Sequence, residues 1–419
     1  MWHTAGDGDN RQVRGLGADY GRLWAAAGIS TLGDGVRLAA LPLLAASITR
    51  DPAAVAAVTL AGGLPWLLFS LVSGAVVDRV DRRRVMWMVD SGRALVMFGL
   101  ATAVVFDATS IALLVVVAFL LGTGETLFDN AAQSLMPSVA PRDRLEDANS
   151  RLYVVQITSQ EFVGPPIGSL LFAAAMAAPF FLDAGSFVAA AALVLGIRGG
   201  GRSPRLETGT QTRLSTEIGE GLRWLWRHRL LRTLALMLGV WNLLTTASAA
   251  VFVLFATEDL HVSTAGFGLL FSAGAVGSIL GSVLATRIIR GVGAGKALMA
   301  AVAISGLAYF VVALTSNAYL VGVMGAIGGF LAVVWNVITV SLRQAIIPDE
   351  LLGRVNSVYR FLGWGMMPIG AAVGGVIASA FGLRATYWIG GAVLLAMVLL
   401  TFRTVNDRAI AAARAAAGA

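Results

Sequence analysis

The sequence predicts an all-α integral membrane protein whose twelve transmembrane helices form two six-helix, pseudo-symmetric bundles. Composition, a series of long apolar runs and a repeat at constant offset carry that expectation. Hydrophobic residues make up 57% of the 419 residues and charged residues only 13%, against about 25% charged in an ordinary soluble domain. The mean hydropathy of +0.78 leaves too few polar side chains to cover a water-facing surface. About 20 apolar residues cross a hydrocarbon core. Twelve such runs follow one another, at roughly 21–48, 53–77, 85–105, 110–135, 148–174, 178–197, 229–257, 265–287, 296–315, 318–345, 355–380 and 384–403. Their length and continuity favour helices over the short alternating strands of a barrel. The 49 glycines suit the close approach of helices in a bilayer.

Taken in order, residues 1–20 form a polar tail of mixed charge, expected to be cytoplasmic. The run that follows is too long for the apolar core of a signal peptide and carries Asp34 and Arg37, so it reads as an uncleaved first helix. Residues 21–197 hold the first six spans. Residues 198–228 form a cytoplasmic linker: 199–213 are rich in Gly, Ser, Thr and Arg, and 214–227 place Leu214, Ile218, Leu222 and Leu225 at helical spacing. That second stretch predicts an amphipathic helix on the membrane interface. Residues 229–403 hold the second six spans, and 404–419 a cytoplasmic tail.

Charge placement sets the expected orientation. Arg79 and Arg82 to Arg84 follow span two, Arg142 and Arg144 follow span four, and a run from Arg198 to Arg232 surrounds the linker. The intervening loops hold almost no basic residues beyond Arg50 and Arg384. This positive-inside pattern places both termini in the cytoplasm and the chain in the cell membrane. It also accounts for the net charge of +7 without nucleic acid as a partner.

The two halves repeat at an offset near 207. Gly74 and Gly281, Pro141 and Pro348, Leu145 and Leu352, and Asn149 and Asn356 are each 207 apart. Gly164 and Gly168 in span five echo Gly370 and Gly374 in span eleven at 206. Both copies begin on the same side, so they are parallel repeats. That is one plan of secondary transporters, with substrate bound near the midplane between halves.

After span two the chain reads Gly74-Ala75-Val76-Val77-Asp78-Arg79, then Asp81 and Arg82-Arg83-Arg84. This resembles the loop motif of the major facilitator superfamily, with Asp81 in place of the second glycine. Gly164-Pro165-Pro166-Ile167-Gly168 resembles the antiporter motif of its exporters, with Gln160 where a further glycine is expected. Ser30-Thr31-Leu32-Gly33-Asp34-Gly35, Gly124-Glu125 with Phe128-Asp129, and Leu182-Asp183-Ala184-Gly185-Ser186-Phe187 are similar to the macrolide-efflux and enterobactin-exporter branch. The matches run from about residue 29 to residue 375. The resemblance implies proton-driven export of a small, mostly apolar molecule such as a drug, macrolide or siderophore. It also implies that Gly74, Asp78, Arg79, Arg82 and Arg83 serve a cytoplasmic gate, with Asp78 facing the positive N-terminus of span eleven. Import of a nutrient and a non-transporting sensor or scaffold are the alternatives.

An ionised side chain in hydrocarbon costs at least a few kcal/mol, so it marks a pathway or a pair. Asp34, Glu125, Asp129 and Glu161 are the candidate proton sites: Asp34 and Glu161 lie near the middle of their spans, and Glu125 and Asp129 share one face of span four. Asp90 and Arg93 read as a structural pair near the cytoplasmic face, and Asp183 as a backbone-bonding residue near the outer end of span six. The second half offers aromatics and amides instead. Arg37, Trp241, Asn242, Trp335, Asn336, Arg360 and Trp364 are the candidates for the substrate cavity, Arg360 also fitting a gate or a structural pair.

No cofactor, metal site or catalytic residue is expected. The chain has no cysteine, and His3, His228 and His261 are scattered outside the spans. Gly291 to Ala297 is one residue short of a phosphate loop and lacks its Ser or Thr, so export would run on an ion gradient. A small-molecule substrate, protons and the bilayer are the expected partners, the protein being a monomer and not an enzyme.

Overall fold

The computed structural model describes residues 16–77, 80–141, 144–199 and 214–417, and side chains are left undescribed at 70–77, 214–218, 349 and 417. Four long helices come first: α1 (Ala18–Ile48), α2 (Pro52–Val77), α3 (Arg82–Val105) and α4 (Ile111–Val139). The fifth crossing is split into α5 (Leu145–Ile157), a π-helical turn (Thr158–Val163) and α6 (Gly164–Ala174), and α7 (Ala178–Leu195) is the sixth. The linker helix α8 (Leu214–Arg227) leads into α9 (Arg229–Leu254), which ends in a second π turn (Phe255–Asp259). Then come α10 (Thr264–Val292), α11 (Ala294–Leu314), α12 (Ala318–Ile346), the pair α13 (Asp349–Trp364) and α14 (Met366–Phe381), α15 (Ala385–Thr401) and the short α16 (Asp407–Ala417). Twelve crossings result. Ten segments are long and apolar enough to span alone, α15 is a shorter apolar helix, and the broken Leu145–Ala174 crossing completes the set.

The break in the fifth crossing has a local cause. Pro165 and Pro166 bring no backbone N–H to the preceding turn. The chain accommodates them with a π turn, a device common at functional sites. The carbonyl of Phe162, which Pro166 cannot serve, accepts the hydroxyl of Ser272 from α10 at 2.9 Å.

Lipid tails are as apolar as leucine, so helices hold together here by close packing rather than by hydrophobic burial. Glycine supplies the approach. A Cβ on Gly164 would lie 2.5 Å from the Gly35 Cα, and one on Gly168 would lie 2.1 Å from the Val36 carbonyl, so α6 lies directly on α1. In the second half, Gly370 and Gly374 press α14 onto α9 in the same way, against the carbonyls of Leu243 and Ala247. Gly122 of α4 meets the Gly62 carbonyl of α2, and its counterpart Gly329 of α12 meets the Gly274 carbonyl of α10. The pseudo-symmetry of the sequence is thus a pseudo-symmetry of helix contacts.

Among the described residues, the closest contacts between the halves lie toward one end. Gly268 of α10 packs on the Pro165 carbonyl, and Gly375 of α14 on Ala53 and Ala56 of α2. Ser169 donates to the Ala265 carbonyl at 3.1 Å, and the Ala53 amide donates to Ser379 at 3.2 Å. Arg50 pairs with Glu258 at 3.4 Å. At the opposite, arginine-rich end, α5 packs on its own half, and α13 on α8 and helices of its own half. Among the described residues, the cavity between the halves, lined by Trp66, Asn130 and Arg360, lies on the basic side of those contacts. Glu220 of α8 holds Arg354 of α13 at 2.6 Å, tying the linker helix to the second half.

Candidate functional site

Four helices of the first half bring charged side chains to one buried point. Arg93 of α3 contacts Asp34 of α1 at 2.6 Å, and Arg37 of α1 contacts the same carboxylate oxygen at 2.6 Å. Arg93 also reaches Asp90 at 3.4 Å, while Arg37 reaches Asp183 of α7 at 3.5 Å and Glu125 of α4 at 3.9 Å. Asp90 and Asp183 are fully buried, and the Arg93 side chain is only 3% exposed. Away from water such charges persist only when paired. The Arg93 guanidinium also lies 4.0 Å from the centre of the Phe187 ring.

Two glycines make room for this cluster. A Cβ on Gly33 would stand 2.3 Å from Asp183 Oδ1 and 2.0 Å from Ser186 Oγ, and one on Gly124 would stand 2.9 Å from the Arg93 side chain. In α1 Gly33 admits Asp183 and Ser186 while Asp34 pairs with Arg37 and Arg93; in α4 Gly124 admits Arg93 while Glu125 faces Arg37. The cluster is incompletely hydrogen-bonded: Arg37 Nε, Arg93 Nε, Asp90 Oδ2 and Asp183 Oδ2 are buried without hydrogen-bond partners. Partly satisfied buried networks are costly, which suits a network that exchanges partners.

The structure gathers some of the expected proton sites and separates one. Asp34 and Glu125 belong to the cluster; Glu125 is its most exposed acid at 29%, and Asp129 follows one turn along α4. Glu161 lies in the π turn of the fifth crossing, exposed and with no ion pair among the described residues.

Asp90 and Arg93 do pair, at 3.4 Å, but Arg93 also reaches Asp34 in the middle of α1, and Asp183 meets Arg37. The third crossing starts at Arg82, so Arg93 lies eleven residues in, about 16 Å at 1.5 Å per residue. Asp183 is deep because the turn before it is recessed. Gly168 lies level with Val36, and α6 then ends at Ala174 while α1 continues to Ile48. The legible signal was the charge itself inside an apolar run; its depth depended on where neighbouring helices stop.

Within the loop motif, Asp78 and Arg79 lie outside the described residues. Gly74 falls in α2. Arg82 donates to the Ser134 carbonyl of α4 at 2.9 Å, and Arg83 donates to the Ile197 carbonyl just past α7. Both thus engage carbonyls at the negative ends of helices in their own half. Asp81, the departure from the motif, caps α3 by accepting the amides of Arg83 and Arg84 at 3.0 and 3.2 Å.

Six of the seven cavity candidates line one chamber of about 310 Å³ in the second half: Trp241, Asn242, Trp335, Asn336, Arg360 and Trp364. Trp241 and Trp335 meet at a tilt of 44° with ring centres 5.5 Å apart, and Asn242 donates to the Gly363 carbonyl at 2.9 Å. Arg37 stands apart, in the charge cluster. Arg343, Thr339 and Tyr359, which are not among the expected cavity residues, also line the chamber. A second chamber of about 410 Å³ shares Arg360 and Trp364 and extends to Trp66 and Asn130 of the first half. The two form a continuous aromatic pocket at the seam between halves. Among the described residues no cluster of His, Asp and Glu is arranged to hold a metal ion.

Comparisons with known proteins agree with this architecture. The model of the transmembrane secretion effector family matches residues 18–416. The multidrug efflux pump Tap of Mycolicibacterium fortuitum is 31% identical over 381 residues, covering 88% of this chain and 90% of that protein. The enterobactin exporter EntS of Salmonella typhimurium is 24% identical over 357 residues, covering 84% and 83%. In fold, the chain matches the crystal structure of a bacterial homologue of the iron transporter ferroportin in an inward-facing state. The TM-score is 0.73 at 17% sequence identity, over 93% of this chain and 99% of that one.

Proposed function

The chain belongs to the transmembrane secretion effector family of major facilitator transporters, and on that premise we propose that it is a proton-coupled exporter of a small, largely apolar compound, working by alternating access. It is a multi-pass membrane transporter and not an enzyme. The buried cluster of α1, α3, α4 and α7 carries the proton reading. Asp34 is held by two arginines at 2.6 Å, which makes it the anchor. Glu125 is the more exposed acid and only 3.9 Å from Arg37, which makes it the exchanging partner, with Asp129 the next acid along the same face. A proton on Glu125 releases Arg37 to Asp34 and Asp183; its departure draws Arg37 back toward α4. The same arginine thereby links protonation to the packing of α1 against α4 and α7.

The basic end of the bundle is the cytoplasmic end by the positive-inside rule, which puts both termini there. The cavity between the halves then lies on the cytoplasmic side, ready to load substrate for export. The seam at Pro165, Gly268 and Gly375 is the closed outer gate. The antiporter-like Gly164, Pro165 and Gly168 form part of that seam, joining α1, α6 and α10.

The test is extrusion from energised cells of a panel of fluorescent aromatic compounds that are cationic, neutral or anionic. A protonophore should abolish it, and Glu125→Gln should reduce it at least ten-fold at equal expression. Extrusion that withstands the protonophore overturns proton coupling; extrusion unchanged in both Glu125→Gln and Asp129→Asn overturns this assignment of the proton site.

A further inference from the structure

The pocket at the seam has a chemical bias that an apolar drug site would not need. Its wall carries two arginines, Arg343 of α12 and Arg360 of α13, and neither forms an ion pair among the described residues. None of the described residues lining either chamber is an acid. Both guanidinium groups are instead held against rings. Arg343 lies 4.1 Å from the Tyr359 ring centre, its Nε donating to the Thr339 carbonyl at 3.3 Å, and Arg360 lies 4.6 Å from the Trp364 ring centre. Stacking fixes each guanidinium plane while leaving most of its N–H groups without a protein acceptor among the described residues. A fixed guanidinium fork matches the paired oxygens of a carboxylate, sulfonate or phosphate. The wall is also rich in tryptophan: Trp241, Trp335 and Trp364, with Trp66 across the seam in edge contact with Trp364 at 6.0 Å.

Resting on the exporter reading above, we propose that the substrate is an aromatic organic anion, its ring stacked among the tryptophans and its acidic group paired with Arg343 and Arg360. The alternative, an aromatic cation, would meet two uncompensated positive charges on this wall. Among the described residues the buried acids belong to the other half, where Asp34, Asp90 and Asp183 are already engaged by Arg37 and Arg93. Uptake of an anion from the cytoplasm supplies the counter-charge that the second half lacks. Release to the outside returns the arginines to their rings.

Binding is measured by titration calorimetry on the purified full chain with three naphthyl probes differing in charge: 2-naphthoate, 2-acetonaphthone and 2-naphthylmethylammonium. The expected order is anion over neutral over cation, with at least ten-fold between the ends. Arg360→Gln should remove most of that preference, and Arg360→Lys should restore part of it. Arg343→Gln should act in the same direction, and a melting curve on each variant separates lost binding from lost fold. Equal or tighter binding of the cation overturns the proposal, as does an anion preference unaffected by both glutamine variants. Everted vesicles under an imposed pH gradient keep the two readings distinct. Anion preference without gradient-driven uptake supports this site and defeats the exporter reading. Gradient-driven uptake of the cation alone does the reverse.

Discussion

At positions 207 residues apart, α4 and α12 have the same place in their bundles and different chemistry. Gly122 and Gly329 each lean on a glycine carbonyl of the neighbouring helix. Yet Glu125 of α4 answers to Ala332 of α12, Phe128 to Trp335, and Asp129 to Asn336. The first half places its acids beside buried arginines, and the second places aromatics and an amide on a chamber whose arginines have no acidic partner among the described residues. Duplication fixed the backbone contacts through small residues. The side chains between those contacts were free to diverge into an ion-handling half and a ligand-facing half.

The largest test of that contrast compares two arginines. Removing Arg93 leaves Asp34 and Asp90 short of a buried partner, and breaking one buried pair costs about 3–5 kcal/mol. Arg93→Gln should therefore lower the melting temperature of the purified protein by many degrees. Arg360→Gln, exposed on the cavity and outside any described ion pair, should leave it nearly unchanged. Equal losses for the two would mean that the halves do not differ in how they hold charge.

Glycine substitutions come next. Gly124→Ala puts a methyl group 2.9 Å from the Arg93 side chain, whereas Gly325→Ala on α12 meets nothing within 4 Å. Overpacking costs about 1–3 kcal/mol, while a helical Gly→Ala exchange in open space gains up to about 1 kcal/mol. The two substitutions should shift the melting temperature in opposite directions. A Gly124→Ala protein as stable as its Gly325→Ala counterpart would show that the cluster is loosely packed.

Much of this was legible in the sequence, because the bilayer imposes long apolar runs and the repeat imposes a constant offset. Asp34, Glu125 and the chamber residues Trp241, Trp335 and Asn336 were readable as charges inside apolar runs, or as tryptophans and amides there. Asp183 and Arg93 were legible as charges, but their meeting with Arg37 and Asp34 depends on depth. Depth follows from where a recessed turn or an early helix start lies relative to its neighbours, which hydropathy does not encode. Arg343 escaped as a wall residue because it sits in the last turn of α12, where a basic residue reads as an anchor. Its stacking partner Tyr359 is sixteen residues away, on another helix.

A carboxylate moved between halves should not carry its function with it. Asp129→Asn should lower proton-dependent extrusion several-fold. Adding Asn336→Asp to that variant should fail to restore it, since position 336 faces tryptophans and Arg360 rather than Glu125 and Arg93. Restoration by the double variant would make the two faces interchangeable and dissolve the distinction drawn above.

The smallest effect is expected where the halves touch. Arg50 and Glu258 bridge the seam at 3.4 Å, but their side chains are 65% and 38% exposed. Such pairs contribute about 0–1 kcal/mol, against a seam otherwise built from backbone contacts at Gly268 and Gly375. Arg50→Gln should thus shift the balance between outer-closed and outer-open states by no more than about five-fold, the factor that ~1 kcal/mol supplies. The chain has no cysteine of its own, so spin labels on Phe106→Cys and Tyr319→Cys, both exposed, report the separation of the halves without background. A modest growth of the longer-distance population fits a seam closed mainly by glycine packing. A complete switch to the long distance would make the ion pair the gate, and would place the decisive charge of the outer end at the surface rather than in the buried cluster.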